Sequence, residues 1–69
     1  MRLSTRNHLR ATVADVHLGE VMAAVKATLG DGQQITALIS REAAQDLGLS
    51  PGDQVIVLIK STEVMLGKE

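Results

Sequence analysis

Val55-Ile56-Val57-Leu58-Ile59-Lys60-Ser61-Thr62-Glu63-Val64-Met65 is the stretch of this chain that decides its fold. Its first five residues are β-branched or leucine, which favours a strand that is apolar on both faces. Lys60-Ser61 interrupts the apolar run, and Thr62–Leu66 predicts a short final strand. The sequence therefore ends on two predicted strands that meet at a cation and a hydroxyl.

A short helix is predicted just before these strands. Arg41–Leu47 consists mostly of good helix formers and is long enough for about two turns. Ser40 is the expected N-cap, and Gly48 stands where the end of a helix favours positive φ. Ser50–Asp53 then predicts a turn, because Pro and Gly occur in the order that a type II turn prefers.

Three strands are predicted before the helix. Alternation of apolar and polar residues from Leu9 to Ala14 predicts a first strand with one wetter face. Asp15–Glu20 is interpreted as a turn, and Val21–Leu29 predicts a second strand that is partly apolar on both faces. Gly30-Asp31-Gly32 is a strong reverse-turn signal, and Gln33–Ser40 predicts the third strand.

The order of these elements predicts the fold class. Five strands with one helix between the third and the fourth are typical of a mainly β protein, a five-stranded OB-like barrel. The whole chain, residues 1–69, is expected to form one domain, and no repeat, linker or low-complexity segment interrupts it.

The size of the chain predicts a homo-oligomer. A chain of 69 residues buries only about 60% of its unfolded surface, so it needs further support. Disulfides and thiolate zinc sites are excluded because there is no cysteine. Phe, Tyr and Trp are absent although 45% of the residues are hydrophobic, so much aliphatic surface is left for an interface.

The charge and hydropathy of the chain exclude several classes. A net charge of −1 is not the basic footprint of a general nucleic-acid binder. No apolar stretch reaches the roughly 18 residues of a membrane span, so no membrane partner is expected. The first residues lack the apolar core of a signal peptide, so the expected location is the cytoplasm.

The two terminal segments predict an anion pocket. Leu3–Asn7 and Ile59–Met65 each place a cation beside hydroxyl side chains, next to a predicted strand. Cations with hydroxyl and backbone N–H donors, and no acidic residue inside the donor cluster, suit a small oxyanion. The pocket forms if folding or assembly brings the two segments together.

The sequence resembles the molbindins, the small molybdate-binding Mop domains, over essentially its whole length. The resemblance is carried by motifs at both ends and between them: Ser4-Thr5-Arg6-Asn7-His8-Leu9, Ile35–Ser40, Leu47-Gly48-Leu49, Gly52–Val55 and Ile59-Lys60-Ser61-Thr62-Glu63-Val64-Met65-Leu66. The resemblance implies an OB-like barrel that assembles as a hexamer, a trimer of dimers, with oxyanion sites between subunits. It implies bound molybdate, with tungstate as a further ligand, held for intracellular molybdenum storage or homeostasis.

The same resemblance implies the site residues. Matching motif positions make Ser4, Arg6, Lys60 and Ser61 the main molybdate contacts. Ser40 would add a hydroxyl or backbone donor, which is compatible with its role as a helix cap. Two further residues of the first motif complete the expected set: Thr5, which replaces a usual Ala, and Asn7.

Other functions receive less support from the residues. His8 and His17 have no third ligand nearby in sequence, so no direct cation site is expected, and Met22 and Met65 are interpreted as core residues. The sequence contains no arrangement of nucleophile, general base and general acid that would predict an enzyme. The alternatives are a DNA-binding or regulatory module of the swapped-hairpin type, which Leu47–Val55 also resembles, and a purely structural oligomerisation domain.

Overall fold

Four strands, one helix and one turn of 3-10 helix make up the fold in the computed structural model, which describes all of residues 1–69. In chain order these are β1 (Asn7–Leu18), β2 (Met22–Leu29), β3 (Gln34–Ser40), α1 (Arg41–Leu47), β4 (Gln54–Ile59) and the 3-10 turn Ser61–Glu63. The strands form one antiparallel sheet in the order β3-β2-β1-β4.

The long first strand holds this sheet together. The first half of β1 pairs with β4, and its second half pairs with β2. A β-bulge at Ala14 separates the pairs Val13–Ala27 and Asp15–Lys26, and such an extra residue bends a strand and increases its twist. The sheet is thus the curved half of a barrel, with β3 and β4 as its two edges.

The predicted turn over Asp15–Glu20 is wrong, because β1 continues through the bulge to Leu18. The connection to β2 takes only the three residues after Leu18. Gly19 donates its N–H to the Met22 carbonyl at 2.8 Å, and a Cβ on Gly19 would lie 2.8 Å from that same oxygen. Glycine is required by this close approach, so Gly19 does mark a turn, but the turn covers residues 19–21 and not Asp15–Glu20.

The predicted helix is confirmed together with both of its ends. The Ser40 side chain accepts a hydrogen bond from the Ala43 N–H at 3.0 Å, which makes Ser40 the N-cap. Gly48 ends the helix at φ 63°, a backbone conformation that glycine adopts readily. No helix of the chain combines the length and the apolar character that crossing a membrane requires.

The core of the single chain is very small. Only six residues are buried, and they are all alanine or valine: Ala11, Val13, Ala23, Val25, Ala27 and Ala44. Beside them an apolar groove of about 240 Å³ runs between the free edges of β3 and β4, lined by twelve residues that are all hydrophobic. The interior of the half-barrel therefore remains open along one side.

The fifth strand predicted over Thr62–Leu66 does not form in the single chain. Ser61–Glu63 is a 3-10 turn, and the residues after it have no regular structure. Met65 and Leu66 are more than 90% exposed, so Met65 is also not the core residue that was expected. The physical reason is that a strand needs a partner edge, and this segment contacts none in its own chain.

Candidate functional site

The pairing of β1 with β4 brings the two terminal segments of the sequence together. Asn7, the first residue of β1, is the partner of Ile59, the last residue of β4. The segments that continue beyond these strand ends therefore leave the sheet side by side. Between them lies a recess of about 330 Å³, lined by six residues: Ser4, Thr5, Arg6, Lys60, Ser61 and Thr62.

The lining of this recess is entirely polar. It contains one guanidinium, one ammonium and four hydroxyl groups, with no carboxylate and no apolar side chain. Arg6 and Lys60 are both exposed, so the recess opens to solvent in the single chain. Hydroxyl and cationic N–H groups are all able to donate hydrogen bonds, which is the arrangement that a small oxyanion requires.

The backbone after β4 adds further donors at this place. The 3-10 turn begins after Lys60, and its first hydrogen bond runs from the Glu63 N–H to the Lys60 carbonyl at 2.9 Å. The turn therefore does not use the N–H groups of Ser61 and Thr62. Glu63 itself does not line the recess, so the only carboxylate of this turn lies outside the donor cluster.

Five of the seven predicted site residues meet here, namely Ser4, Thr5, Arg6, Lys60 and Ser61. Thr62 also lines the recess and was not among the predicted contacts, although it follows Lys60-Ser61 directly in the motif. The sequence pattern places Thr62 at the beginning of a fifth strand, whereas in the structure it belongs to the 3-10 turn Ser61–Glu63.

Asn7 lies beside the recess but does not line it. Its side-chain amide donates to the carbonyl of Ile59 at 3.1 Å, across the β1–β4 pair. The next residue, His8, hydrogen-bonds through Nε2 to the carbonyl of Thr5. Since a carbonyl can only accept, the Nε2 atom carries the proton in this contact.

Ser40 lies far from the recess within one chain. It ends β3 opposite Met22, close to the turn that joins β1 and β2, whereas the recess lies at the opposite end of β1. The separation is most of the length of β1, roughly 30 Å at about 3.3 Å per residue. Ser40 can therefore meet an anion in this recess only if it comes from another subunit.

No group of three or more His, Asp or Glu side chains is placed to hold a metal ion. His8 and His17 project from the two ends of β1. The residues that line the recess offer hydrogen bonding and positive charge.

Comparison with known proteins places the chain in a family. Residues 3–66 match the model of the TOBE domain. The chain is 50% identical over 66 residues to the molybdenum-pterin-binding protein MopA of Rhodobacter capsulatus, a match that covers 96% of this chain and 25% of MopA. This chain thus spans about a quarter of the length of that relative.

Solved structures agree with the sequence match. A molybdate-binding protein from Sporomusa ovata superimposes with a TM-score of 0.93 at 40% identity, over 99% of this chain and 100% of that one. The cytoplasmic molybdate-binding protein ModG, solved with molybdate bound, matches with a TM-score of 0.85 at 41% identity, over 88% of this chain and 43% of that one. The fold is therefore a mainly β, OB-like one. The chain belongs to the TOBE domain family as a molbindin, which confirms the resemblance seen in its motifs.

Proposed function

We propose that this protein binds molybdate noncovalently, and tungstate as well, in the recess between its two terminal segments. One observation carries the proposal: segments more than fifty residues apart in sequence meet in a recess lined only by cations and hydroxyl groups. Its relatives support the identity of the anion, since the Sporomusa ovata protein binds molybdate and ModG was solved with molybdate bound.

The donors suit a tetrahedral dianion. Molybdate is fully ionised near neutral pH, so it accepts hydrogen bonds and offers none. Arg6 presents a planar group with several N–H donors, and Lys60 presents a compact positive charge. The hydroxyl groups of Ser4 and Ser61, with nearby backbone amides, replace water around the remaining oxygens. Thr5 and Thr62 add hydroxyl groups on each wall.

The ligand in this proposal is the inorganic oxyanion rather than a pterin compound. The name of the Rhodobacter relative refers to a molybdenum pterin. A pterin ring is flat and aromatic, and proteins commonly hold such rings against aromatic side chains. This chain has no Phe, Tyr or Trp, and its recess has no apolar lining residue.

Assembly is the second part of the proposal. The protein forms a hexamer, a trimer of dimers, and each half-barrel gains its fifth strand on assembly. Three features support this: the core has only six buried residues, the groove between β3 and β4 is open, and Val64, Met65 and Leu66 are exposed. An extended apolar segment can pair with a free strand edge and fill such a groove. In an assembly Ser40 is able to approach the recess of another subunit.

The proposed role is molybdenum storage or homeostasis in the cytoplasm, without catalysis, by residues 1–69 acting as one domain. The description of the relative ModG as cytoplasmic supports the location. A set of donors with no carboxylate or imidazole to act as general base on the hydroxyl groups suits reversible binding, because the anion enters and leaves unchanged.

Calorimetric titration with molybdate, followed by sulfate, tests the function. We expect saturable heat with molybdate and a rise in melting temperature, because a ligand that binds only the folded state stabilises it. Sulfate has the same charge and shape but is smaller, and we expect weaker binding. Absence of both heat and thermal shift with molybdate would rule out the proposed function.

A further inference from the structure

We propose that Asn7 and His8 are positioning residues that hold the two walls of the recess in place. One wall is residues 60–62, after β4, and the other is residues 4–6, before β1. We call this arrangement the Asn7–His8 clamp. The inference rests on the proposed function, since it concerns how the same recess is kept ready for its anion. It assigns to Asn7 a different role from the direct anion contact that its motif suggested.

Asn7 fastens the wall that follows β4. Its amide donates to the Ile59 carbonyl at 3.1 Å, and Ile59 directly precedes Lys60. The Asn7 side chain is half-buried, so this hydrogen bond is partly shielded from water. Asn7 does not line the recess. Its side chain therefore acts on the site by fixing the orientation of the Lys60 backbone.

His8 fastens the opposite wall. Its Nε2 atom donates to the carbonyl of Thr5, between the two lining residues Ser4 and Arg6. This contact joins residues three apart in sequence, so it holds the backbone of the N-terminal segment just before β1. The segment has no regular structure, and no backbone hydrogen bond from residues 1–6 occurs among the loop and turn bonds. The hydrogen bond from the His8 side chain is therefore important for holding residues 4–6 in place.

The two hydrogen bonds are made by neighbouring residues of one strand, β1. Successive side chains of a strand point to opposite faces, so Asn7 and His8 reach two different segments without competing. A recess whose walls are already fixed loses less entropy when the anion binds than one whose walls must first be ordered. The clamp therefore raises the affinity for the anion by ordering the recess before the anion binds.

Four variants test the clamp by molybdate titration: Asn7→Ala, His8→Ala, His8→Gln and Gln54→Ala. Loss of one tie is expected to raise the Kd about threefold to tenfold, as for a typical hydrogen bond. His8→Gln should retain wild-type affinity, because the Gln amide places an N–H the same number of bonds from the backbone. The matched control is Gln54→Ala, since Gln54 also bridges β1 and β4, donating to Thr12 at 3.0 Å away from the recess.

A second readout separates positioning from direct contact. In the protein without anion, amide hydrogen exchange of Glu63, whose N–H is bonded to the Lys60 carbonyl at 2.9 Å, should become faster in Asn7→Ala. It should stay unchanged in Lys60→Gln, which removes only a ligand contact. The clamp is confirmed if affinity and exchange change together in Asn7→Ala, and if Gln54→Ala leaves both unchanged at the recess.

Several results would overturn the clamp. One is an unchanged Kd in both Asn7→Ala and His8→Ala, and another is an equal loss of affinity in Gln54→Ala. Weaker binding in Asn7→Ala with unaltered exchange would make Asn7 a direct contact, and failure of His8→Gln to restore affinity would remove the role of His8. If the wild-type protein gives no heat with molybdate, the proposed function fails instead, and the exchange data still report on the clamp.

Discussion

Lys60→Gln is the most informative substitution, because it removes one positive charge from the recess and keeps a side chain of similar length. Lys60 is exposed, so its interaction with an anion is reduced by water. At a separation of about 4 Å and the dielectric constant of water, a single positive charge attracts a dianion by about 2 kcal/mol. Dissolved salt lowers this value, and the amide of Gln can still donate a hydrogen bond. We therefore expect a loss of about 1–1.4 kcal/mol in binding, or a Kd raised about fivefold to tenfold.

The assay is molybdate titration at two salt concentrations, with Lys26→Gln as the matched control. Lys26 is also an exposed lysine, but it lies on β2 opposite Asp15, away from the recess. The affinity of Lys60→Gln should depend less on salt than that of the wild-type protein, because one ionic contact is missing. Both variants should unfold at nearly the wild-type temperature, as exposed substitutions usually do. An affinity of Lys60→Gln within twofold of wild type, or equal losses in the two variants, would refute the assignment of the recess.

Three further predictions concern stability, titration and assembly. Ser40→Ala removes the side-chain acceptor for the Ala43 N–H, so chemical denaturation should show a loss of about 1 kcal/mol; an unchanged midpoint would argue against the cap. Hydrogen bonds from the Gln33 side chain and then from its backbone lower the pKa of the Asp31 carboxyl below its ordinary value of 3.8. That pKa, followed by NMR, should return toward 3.8 in Gln33→Ala, and the stabilising effect of the ionised carboxyl should disappear as the pH falls through the folded-state pKa. Deletion of Val64–Glu69 should give smaller species in sedimentation experiments, whereas an unchanged oligomer would exclude this segment from the interface.

The elements whose signals are local could be predicted from the sequence. Ser40 and Gly48 act on the backbone within a few residues of themselves, so both ends of α1 were located correctly. The bulge at Ala14 could not be predicted, because it depends on how β1 pairs with two different strands. The fifth strand could not be predicted for a related reason. The apolar pattern of Thr62–Leu66 suits a strand, but a strand needs a partner, and this segment pairs with neither free edge of its own sheet.

The candidate site likewise contains residues that the sequence predicts and residues whose place depends on the folded structure. Cations beside hydroxyl groups marked Arg6 and Lys60, and the β1–β4 pairing brings their segments together. The family resemblance implied that Asn7, as a residue of the first motif, contacts the anion; in the structure its amide donates to the Ile59 carbonyl. Ser40 lies at the end of β1 opposite the recess, so its expected contact with the anion would require a second subunit, and no local pattern in the sequence encodes how subunits pack.

The central claim is that the anion lies between the two terminal segments. A crystal structure of the protein with molybdate, in which the molybdenum is located by its anomalous scattering, tests this claim most directly. We predict a peak whose surrounding oxygens lie within hydrogen-bond distance of Arg6, Lys60 and Ser61. A fully occupied peak elsewhere on the chain, with the recess containing only water, would contradict the account.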